Sequence, residues 1–176
     1  NGITGSTVSL ATGISFGKKK LNDGGIVVCF MGDGALGEGV VYESFNMASL
    51  WELPIIYVLE SNLMAQSTDI KKITAGSIQH RFEAFGIETN YIKSTDVFDL
   101  IELGTKTINN VKKNCKPLAV IIEADRLCAH SKGDDTRKKE QINFSLDPVV
   151  VLKNNINNFE NIKQEAQEFI KQLISN

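Results

Sequence analysis

Two short apolar runs place the strongest constraint on how this 176-residue chain can fold. Residues 26–31 form the first run and residues 55–59 the second, and polar residues interrupt neither. A continuous run of this length fits a strand that is buried on both faces, as parallel sheets require. Between the runs, apolar residues recur at helical spacing from about residue 38, and Pro54 ends that segment. The sequence therefore predicts a strand–helix–strand unit with a right-handed crossover.

A glycine-rich turn follows the first run directly. Residues 32–37 read GDGALG, and glycines there let the backbone turn sharply and let a ligand approach the main chain. The turn satisfies the G-x-G-x-x-G pattern of dinucleotide sites, in which Glu60 could bind a ribose. Asp33 is awkward for that interpretation. A carboxylate about 4 Å from a pyrophosphate is repelled by roughly 4 kcal/mol at an intermediate dielectric.

A divalent metal ion would convert this repulsion into attraction. Hard ions take oxygen ligands and often bridge protein oxygens to substrate phosphates. Asn62 comes 29 residues after Asp33 (62 − 33), just past the second run. Because the tips of neighbouring parallel strands share the edge of the sheet where ligands bind, we expect Asp33 and Asn62 to hold a metal that holds a diphosphate. A plain strand-to-helix turn without a ligand remains the alternative.

The rest of the chain repeats the alternation of strands and helices. A turn and a helix are expected over residues 2–17, and two helices are expected after Asp147. The other predicted helices cover residues 73–85 and 97–114, and the other predicted strands cover residues 87–92 and 118–122. This order predicts one α/β domain over residues 1–176, with a mostly parallel sheet and helices on both faces.

Composition argues against several classes of protein. The net charge is −2 and the basic residues are scattered, so nothing favours nucleic acid. The lysines at 18–20 suit the end of a helix. No apolar stretch approaches the roughly 20 residues that span a bilayer, so no membrane association is expected. Cys29, Cys115 and Cys128 lack a metal-type spacing, which favours a reducing, cytoplasmic setting.

The spacing of Asp33 and Asn62 resembles the thiamine diphosphate motif, in which the Asp and Asn bind Mg²⁺ and the glycine turn packs on the diphosphate. The surrounding sequence resembles the alpha subunits of the 2-oxo acid dehydrogenase decarboxylating components. This group includes pyruvate, branched-chain 2-oxo acid and acetoin dehydrogenases. The matching positions are Glu43, Asn46, Ala48, Leu50, Trp51, Leu53 and Pro54.

This resemblance implies a thiamine diphosphate-binding fold and a defined set of contacts. Asp33, Asn62 and the main-chain carbonyl of Met64 would bind the metal, although the family usually has an aromatic residue where Met64 stands. The implied cofactor contacts are Gly32, Asp33, Gly34, Ala35, Asn62 and Met64.

Two further segments carry the resemblance. The opening residues resemble the family's GIVG segment, which implies that Gly2 and Thr4 line the aminopyrimidine ring. The loop after the fourth strand resembles the family's HS…D…R loop over the active-site mouth. That likeness implies a catalytic or substrate-orienting role for His130, close to the cofactor. The implied loop contacts are Ser131, Asp134 and Arg137. The other histidine, His80, is expected to be a surface or packing residue.

Taken together, the resemblance implies an alpha-type subunit of a 2-oxo acid or acetoin dehydrogenase that depends on thiamine diphosphate and Mg²⁺. Such an enzyme decarboxylates or cleaves its substrate and passes the acyl group to a lipoyl carrier. The implied partners are a beta subunit, in a heterotetramer of two alpha and two beta subunits, and a lipoyl acyltransferase. The beta subunit would supply the Glu that activates the aminopyrimidine, and this chain is expected to lack the family's N-terminal part.

Three alternatives remain open at this point. The first is half of a split transketolase, which Glu38-Gly39 favours and the His130 loop opposes. The second is a nicotinamide-dependent oxidoreductase, and the third is a non-catalytic interaction subunit that kept the fold.

Overall fold

The computed structural model describes residues 3–131, 133 and 135–175. The helices are α1 (Ser6–Leu21), α2 (Gly39–Leu50), α3 (Ile78–Glu83), α4 (Val97–Asn114), α5 (Pro148–Asn155) and α6 (Phe159–Ser175). The strands are β1 (Val27–Gly32), β2 (Ile55–Ser61), β3 (Met64–Ala65), β4 (Thr68–Asp69), β5 (Glu88–Lys93) and β6 (Leu118–Glu123). Short 3₁₀ turns cover Asp33–Gly37, Ile70–Lys72, Lys139–Gln141 and Phe144–Leu146.

Four parallel strands form the main sheet, in the order β1-β2-β6-β5. Gly32 pairs with Glu60, and Ser61 pairs with Glu123, so the carboxyl ends of β1, β2 and β6 lie at one edge. The unit β1–α2–β2 is the strand–helix–strand unit expected from the two apolar runs. The short strands β3 and β4 pair antiparallel in a separate hairpin.

The two faces of β2 pack against different helices. Ile55, Tyr57 and Leu59 join a core with buried residues of α1, α2 and α3. Ile56 and Val58 face the opposite side and pack with residues of α4. Helices therefore cover both faces of a parallel sheet, which confirms the predicted α/β class.

An aromatic cluster fills the centre of the larger core. Phe45 of α2 is fully buried, and its ring centroid lies 4.9 Å from that of Tyr57 and 4.7 Å from that of Phe82. Aromatic pairs at such distances add to the stabilisation that burial alone provides. This cluster holds α2 on the sheet and thereby fixes the turn that precedes the helix.

Strand β1 differs from the expectation that both its faces are buried. Val28 is 42% exposed and Phe30 61% exposed, whereas Cys29 and Met31 on the other face are buried. The reason is position: β1 lies at the edge of the described sheet, and α4 packs over β2 and β6. The run over 55–59, by contrast, belongs to an inner strand and is buried on both faces, as predicted.

The region between β2 and β5 departs most from the sequence prediction. The helix expected over 73–85 is confined to α3, because Gly76 takes a left-handed φ of 73° and Ser77 caps the helix at the N–H of His80. The β3–β4 hairpin was not predicted. His80 is exposed, as expected, with its ring 3.7 Å from the Glu83 carboxylate.

Helix ends follow the charges and caps in the sequence. Lys19, from the run over 18–20, donates to the carbonyls of Trp51 at 2.8 Å and Glu52 at 3.0 Å, at the end of α2. Asp96 accepts the Phe98 N–H at 2.9 Å and caps α4. None of the helices in the part of the chain that the structure describes is both long and apolar enough to cross a membrane.

Candidate functional site

Asp33 lies where β1 ends and the chain turns into α2. Its side chain is buried, with the residue only 2% exposed. The Oδ2 atom accepts the Leu63 N–H at 2.8 Å and the Ser61 hydroxyl at 3.2 Å. The tip of β1 is therefore tied to the segment that leaves the tip of β2.

The electrostatic setting of Asp33 is unusual for a buried carboxylate. Burial raises its pKa above the ordinary value, while N–H groups of Leu63, Gly34 and Asn62 and the Ser61 hydroxyl act in the opposite direction. Among the residues that the structure describes, no lysine, arginine or histidine forms an ion pair with Asp33. The described donors to this carboxylate are all neutral, so the site favours an added cation.

Asn62 lies beside Asp33 at the same edge of the sheet. Its side-chain Oδ1 accepts the Met64 N–H at 3.0 Å, and its main-chain N–H acts to lower the pKa of Asp33. Leu63, which lies between Asn62 and Met64, takes a left-handed φ of 61°. Asp33 and Asn62 therefore lie just past the ends of two neighbouring strands, at one edge of the sheet.

The β3–β4 hairpin packs directly on the glycine turn. A Cβ at Gly34 would lie 3.0 Å from the Ala65 Cβ, which is tighter than most real Cβ contacts. Gly34 therefore serves the packing of the hairpin in the structure itself. A Cβ at Gly32 would meet no atom of the described residues within 4 Å, so the space beside Gly32 is open.

The loop that contains His130 starts at the same edge. Just past β6, the Ala124 N–H donates to the Ser61 carbonyl at 3.0 Å. His130 is exposed, and its Nδ1 lies 3.0 Å from the Ser131 hydroxyl. Arg137 donates to the Asp135 carboxylate through Nε at 2.9 Å and Nη2 at 2.7 Å.

The Asp135–Arg137 pair refines the loop contacts expected from the sequence. The Arg137 guanidinium holds the pKa of Asp135 down to about 2. Asp134, the acid named from the resemblance, lies outside the described residues, as does Gly2. Thr4 is exposed in the turn before α1. A Cβ at the neighbouring Gly5 would lie 3.0 Å from the Glu38 Cβ, so this turn packs beside the glycine turn.

Several supporting residues were not found from the sequence. Tyr42 of α2 donates its hydroxyl hydrogen bond to the Leu36 carbonyl, and Arg81 of α3 donates to the Tyr42 hydroxyl. The guanidinium carbon of Arg81 lies 5.6 Å from the centre of the Tyr42 ring. These contacts brace the glycine turn from two helices. They depend on tertiary packing, and no sequence signal marks them.

The donor set fits a hard cation. Within residues 3–131, 133 and 135–175, no group of three or more His, Cys, Asp or Glu side chains is placed to hold a metal. The oxygens at this edge of the sheet come instead from the Asp33 carboxylate, the Ser61 hydroxyl, the Asn62 amide and the main chain. Mg²⁺ prefers such oxygen ligands and keeps several positions for water and phosphate.

Comparison with known proteins identifies the family. The family model described as dehydrogenase E1 component matches residues 1–175. The chain belongs to the dehydrogenase E1 component family. It is 33% identical over 168 residues to the pyruvate dehydrogenase E1 component subunit alpha of Zymomonas mobilis, and the alignment covers 94% of this chain and 46% of that protein. It is 30% identical over 187 residues to the subunit of the same name from Rickettsia bellii, covering 99% of this chain and 57% of that protein.

The family match confirms the resemblance to 2-oxo acid dehydrogenase alpha subunits. The chain spans about half the length of these relatives. Among solved structures, transketolase from Campylobacter jejuni is similar, with a TM-score of 0.54 and 27% identity. That match covers 68% of this chain and 19% of the transketolase chain.

Proposed function

We propose that this chain is the metal- and diphosphate-binding part of an alpha-type subunit in a 2-oxo acid dehydrogenase that depends on thiamine diphosphate and Mg²⁺. Membership of the dehydrogenase E1 component family supports the class of enzyme. The observation that carries the proposal is Asp33: a buried carboxylate, hydrogen-bonded to the segment that contains Asn62, with no cationic side chain paired to it among the described residues.

Three oxygens would hold the Mg²⁺: the Asp33 carboxylate, the Asn62 amide oxygen and the Met64 carbonyl. The Asn62 oxygen already accepts the Met64 N–H, but an amide oxygen has a second lone pair for a metal. Gly32, with open space where a side chain would lie, would border the diphosphate.

Thiamine diphosphate supplies, when bound, the carbon nucleophile and the electron sink that decarboxylation requires. The main chain of Gly34 and Ala35 would contact the diphosphate, while Gly2 and Thr4 would line the ring. His130 would carry or donate a proton near the substrate oxygens, because an imidazole ring can both accept and donate a proton. The hydrogen bond between the His130 Nδ1 and the Ser131 hydroxyl would orient the ring. Arg137 and Asp134 would hold the loop around the substrate.

The partners follow from the same proposal. The relatives are named as alpha subunits of pyruvate dehydrogenase, so a beta subunit, a lipoyl acyltransferase and pyruvate are the first candidates for partners and substrate. A branched-chain 2-oxo acid or acetoin is the second choice of substrate. We place the enzyme in the cytoplasm, as a heterotetramer of two alpha and two beta subunits. This chain would be inactive without the beta subunit.

Thermal unfolding of the alpha–beta complex tests the proposal. Thiamine diphosphate with Mg²⁺, at about 100 times the dissociation constant, should stabilise the complex by roughly 2.7 kcal/mol. Asp33→Asn should abolish this stabilisation. Asp96→Asn is the matched control, since an amide can also cap α4, and it should leave the stabilisation intact. Stabilisation by NAD instead of thiamine diphosphate, or its persistence in Asp33→Asn, would overturn the proposal.

Turnover assays separate the remaining candidate. Because the chain is similar to a transketolase, the transfer of two-carbon units between sugars is the second candidate function. The reconstituted complex should be assayed with pyruvate, branched-chain 2-oxo acids, acetoin and ketose phosphates. Product from a 2-oxo acid or acetoin supports the dehydrogenase, whereas product from ketose phosphates alone would show a split transketolase.

A further inference from the structure

The carbonyl of Leu36 is held by groups outside the glycine turn. Leu36 is buried and lies near the end of the 3₁₀ turn over Asp33–Gly37. The last carbonyls of a helical turn have no partner within it and are satisfied from elsewhere. Here the Tyr42 hydroxyl donates to the Leu36 carbonyl. The end of the turn is therefore fixed by α2, whereas its first residue, Asp33, is fixed by the Leu63 N–H.

Arg81 of α3 supports the Tyr42 hydroxyl from the other side. Its Nη1 donates to that hydroxyl and also to the Leu36 carbonyl, at 3.5 Å. Its Nη2 donates to the Ala75 carbonyl, in the segment that leads into α3. A guanidinium is a planar fork that can hold two acceptors in a fixed relation. We name Arg81, the Tyr42 hydroxyl and the Leu36 carbonyl the Arg81 clamp.

The Arg81 clamp rests on a well-packed part of the fold. Phe82, the next residue of α3, is fully buried and belongs to the aromatic cluster around Phe45. The ring of Tyr42 lies 6.1 Å from the ring of Phe45. Because protein interiors are close-packed, a shift of either helix would disturb this core. The two donors to Leu36 therefore have little freedom to move.

Arg81 also occupies a costly position. Its side chain is only partly exposed, and its Nε is buried with no hydrogen-bond partner among the residues that the structure describes. A buried donor without a partner lowers stability. Residues that break a local rule of stability are typical of functional sites. The position of Arg81 is thus better explained by what it holds than by the stability that it adds.

We propose that Arg81 is a positioning residue for the diphosphate, a role that rests on the proposed function. By holding the Tyr42 hydroxyl on the Leu36 carbonyl, it fixes the main chain of Gly34 and Ala35, which would contact the diphosphate. The metal ligand has separate hydrogen bonds, from the segment that follows β2 and from the end of that strand. Loss of the Arg81 clamp therefore displaces the phosphate-binding main chain and leaves the metal-binding carboxylate in place.

Inorganic pyrophosphate is the probe that isolates this end of the site. Its binding to the alpha–beta complex, at a fixed Mg²⁺ concentration, is measured by thermal shift. Arg81→Ala should raise the half-saturating pyrophosphate concentration about tenfold, as loss of a supporting partner does at metal sites. Tyr42→Phe should raise it by a similar factor, although it keeps the ring and the charge of Arg81. Arg81→Lys should be intermediate, because an ammonium is not a planar fork.

Two comparisons show whether the effect passes through the Arg81 clamp. The double variant Arg81→Ala/Tyr42→Phe should bind no more weakly than the weaker single variant, because both changes remove the same contact. His80→Ala removes an exposed side chain next to Arg81 on α3 and is the matched control, which should bind as the parent does. Thiamine diphosphate should lose affinity by the same factor as pyrophosphate in each variant.

Hydrogen exchange of the complex without ligand gives a readout that does not depend on binding. The Glu38 N–H donates to the Ala35 carbonyl at 3.1 Å and closes the turn. Its exchange should be several-fold faster in Arg81→Ala and Tyr42→Phe, while exchange in β1 and β2 should not change. Faster exchange throughout the sheet would show general loosening and would count against the proposal.

The binding data distinguish the ways in which the proposal can fail. Unchanged pyrophosphate binding in Tyr42→Phe, with weaker binding in Arg81→Ala, would show that the arginine charge acts without the Arg81 clamp. A loss of urea stability in both variants, with unchanged pyrophosphate binding, would show that the clamp serves stability alone. Either result overturns the proposal. If neither pyrophosphate nor thiamine diphosphate stabilises the parent complex, the proposed function itself fails, and this proposal fails with it.

Discussion

Substitution of Gly34 by alanine tests how the glycine turn and the β3–β4 hairpin fit together. The added Cβ would lie 3.0 Å from the Ala65 Cβ and 3.5 Å from the Ala65 Cα. Carbon atoms attract best at about 3.5–4.0 Å, so the hairpin has to move away by a few tenths of an ångström. Overpacking of this kind costs about 1–3 kcal/mol. We expect Gly34→Ala to lower the free energy of unfolding by that amount.

Ala65→Gly is the compensating change. It removes the atom that clashes and leaves the Cα of residue 65 at 3.5 Å, an ordinary contact distance. By itself it should cost about 0.5–1 kcal/mol through backbone freedom. The double variant should therefore be more stable than the sum of the two single changes predicts, by about 1–2 kcal/mol. Gly37→Ala is the control, because a Cβ there meets no atom of the described residues within 4 Å.

Urea unfolding of the alpha–beta complex gives the stabilities. It is measured for the parent, the two single variants, the double variant and the control Gly37→Ala. Thermal shift with thiamine diphosphate and Mg²⁺ gives the ligand response. If Gly34 is needed only to fit the hairpin, Ala65→Gly restores both stability and ligand response to Gly34→Ala. If the diphosphate also approaches the Gly34 backbone, stability returns and the ligand response does not. Additive effects of the two substitutions would refute the packing argument.

Three other substitutions test separate parts of the argument. Phe45→Ala empties the centre of the aromatic cluster and should cost about 3–5 kcal/mol in chemical unfolding; a loss below 1 kcal/mol would contradict the assigned core. Ser61→Ala removes the hydroxyl that donates to Asp33. It should lower the free energy of unfolding by about 1–3 kcal/mol and weaken Mg²⁺ binding. Unchanged stability and an unchanged Mg²⁺ titration would show that this hydrogen bond is dispensable. Glu123→Gln tests pH dependence, because the Lys93 ammonium, and next the Tyr91 hydroxyl, hold the pKa of Glu123 below its ordinary value of 4.5. The folded chain then binds this proton less readily than the unfolded chain, so the stabilisation is present above pH 4.5 and is lost as the pH falls through the lower, folded value. Glu123→Gln should accordingly lower the free energy of unfolding at pH 7, and this loss should fade in acid. A loss that does not change with pH would contradict the lowered pKa of Glu123.

The sequence was sufficient for the features that depend on one short segment or on the general rules of parallel sheets. The strand that begins at Ile55 was recognisable because residues 55–59 are apolar on both faces. The location of Asp33 and Asn62 at the ends of neighbouring strands followed from the rule that parallel strands end at one edge of the sheet. Neither step required knowledge of how distant segments pack.

What the sequence did not reveal depends on tertiary position. The run over 26–31 is as apolar as an inner strand, yet Phe30 is exposed because β1 lies at the edge. The β3–β4 hairpin has two-residue strands and turns at Gln66, with no Asn-Gly or Asp-Gly pair to mark it. Asp135 pairs with Arg137, and no sequence pattern marks Asp135 as the partner.

The chemistry of Asp33 connects the fold to the proposed function. An asparagine at this position could accept the hydrogen bonds from the Leu63 N–H and the Ser61 hydroxyl through its amide oxygen. The negative charge of Asp33 is therefore not required for these contacts, and burial makes it costly. Residues that break a local rule of stability without compensation nearby are typical of functional sites. Under the proposed function the compensation is a cation, and the same cation removes the repulsion that a bare carboxylate would exert on a diphosphate.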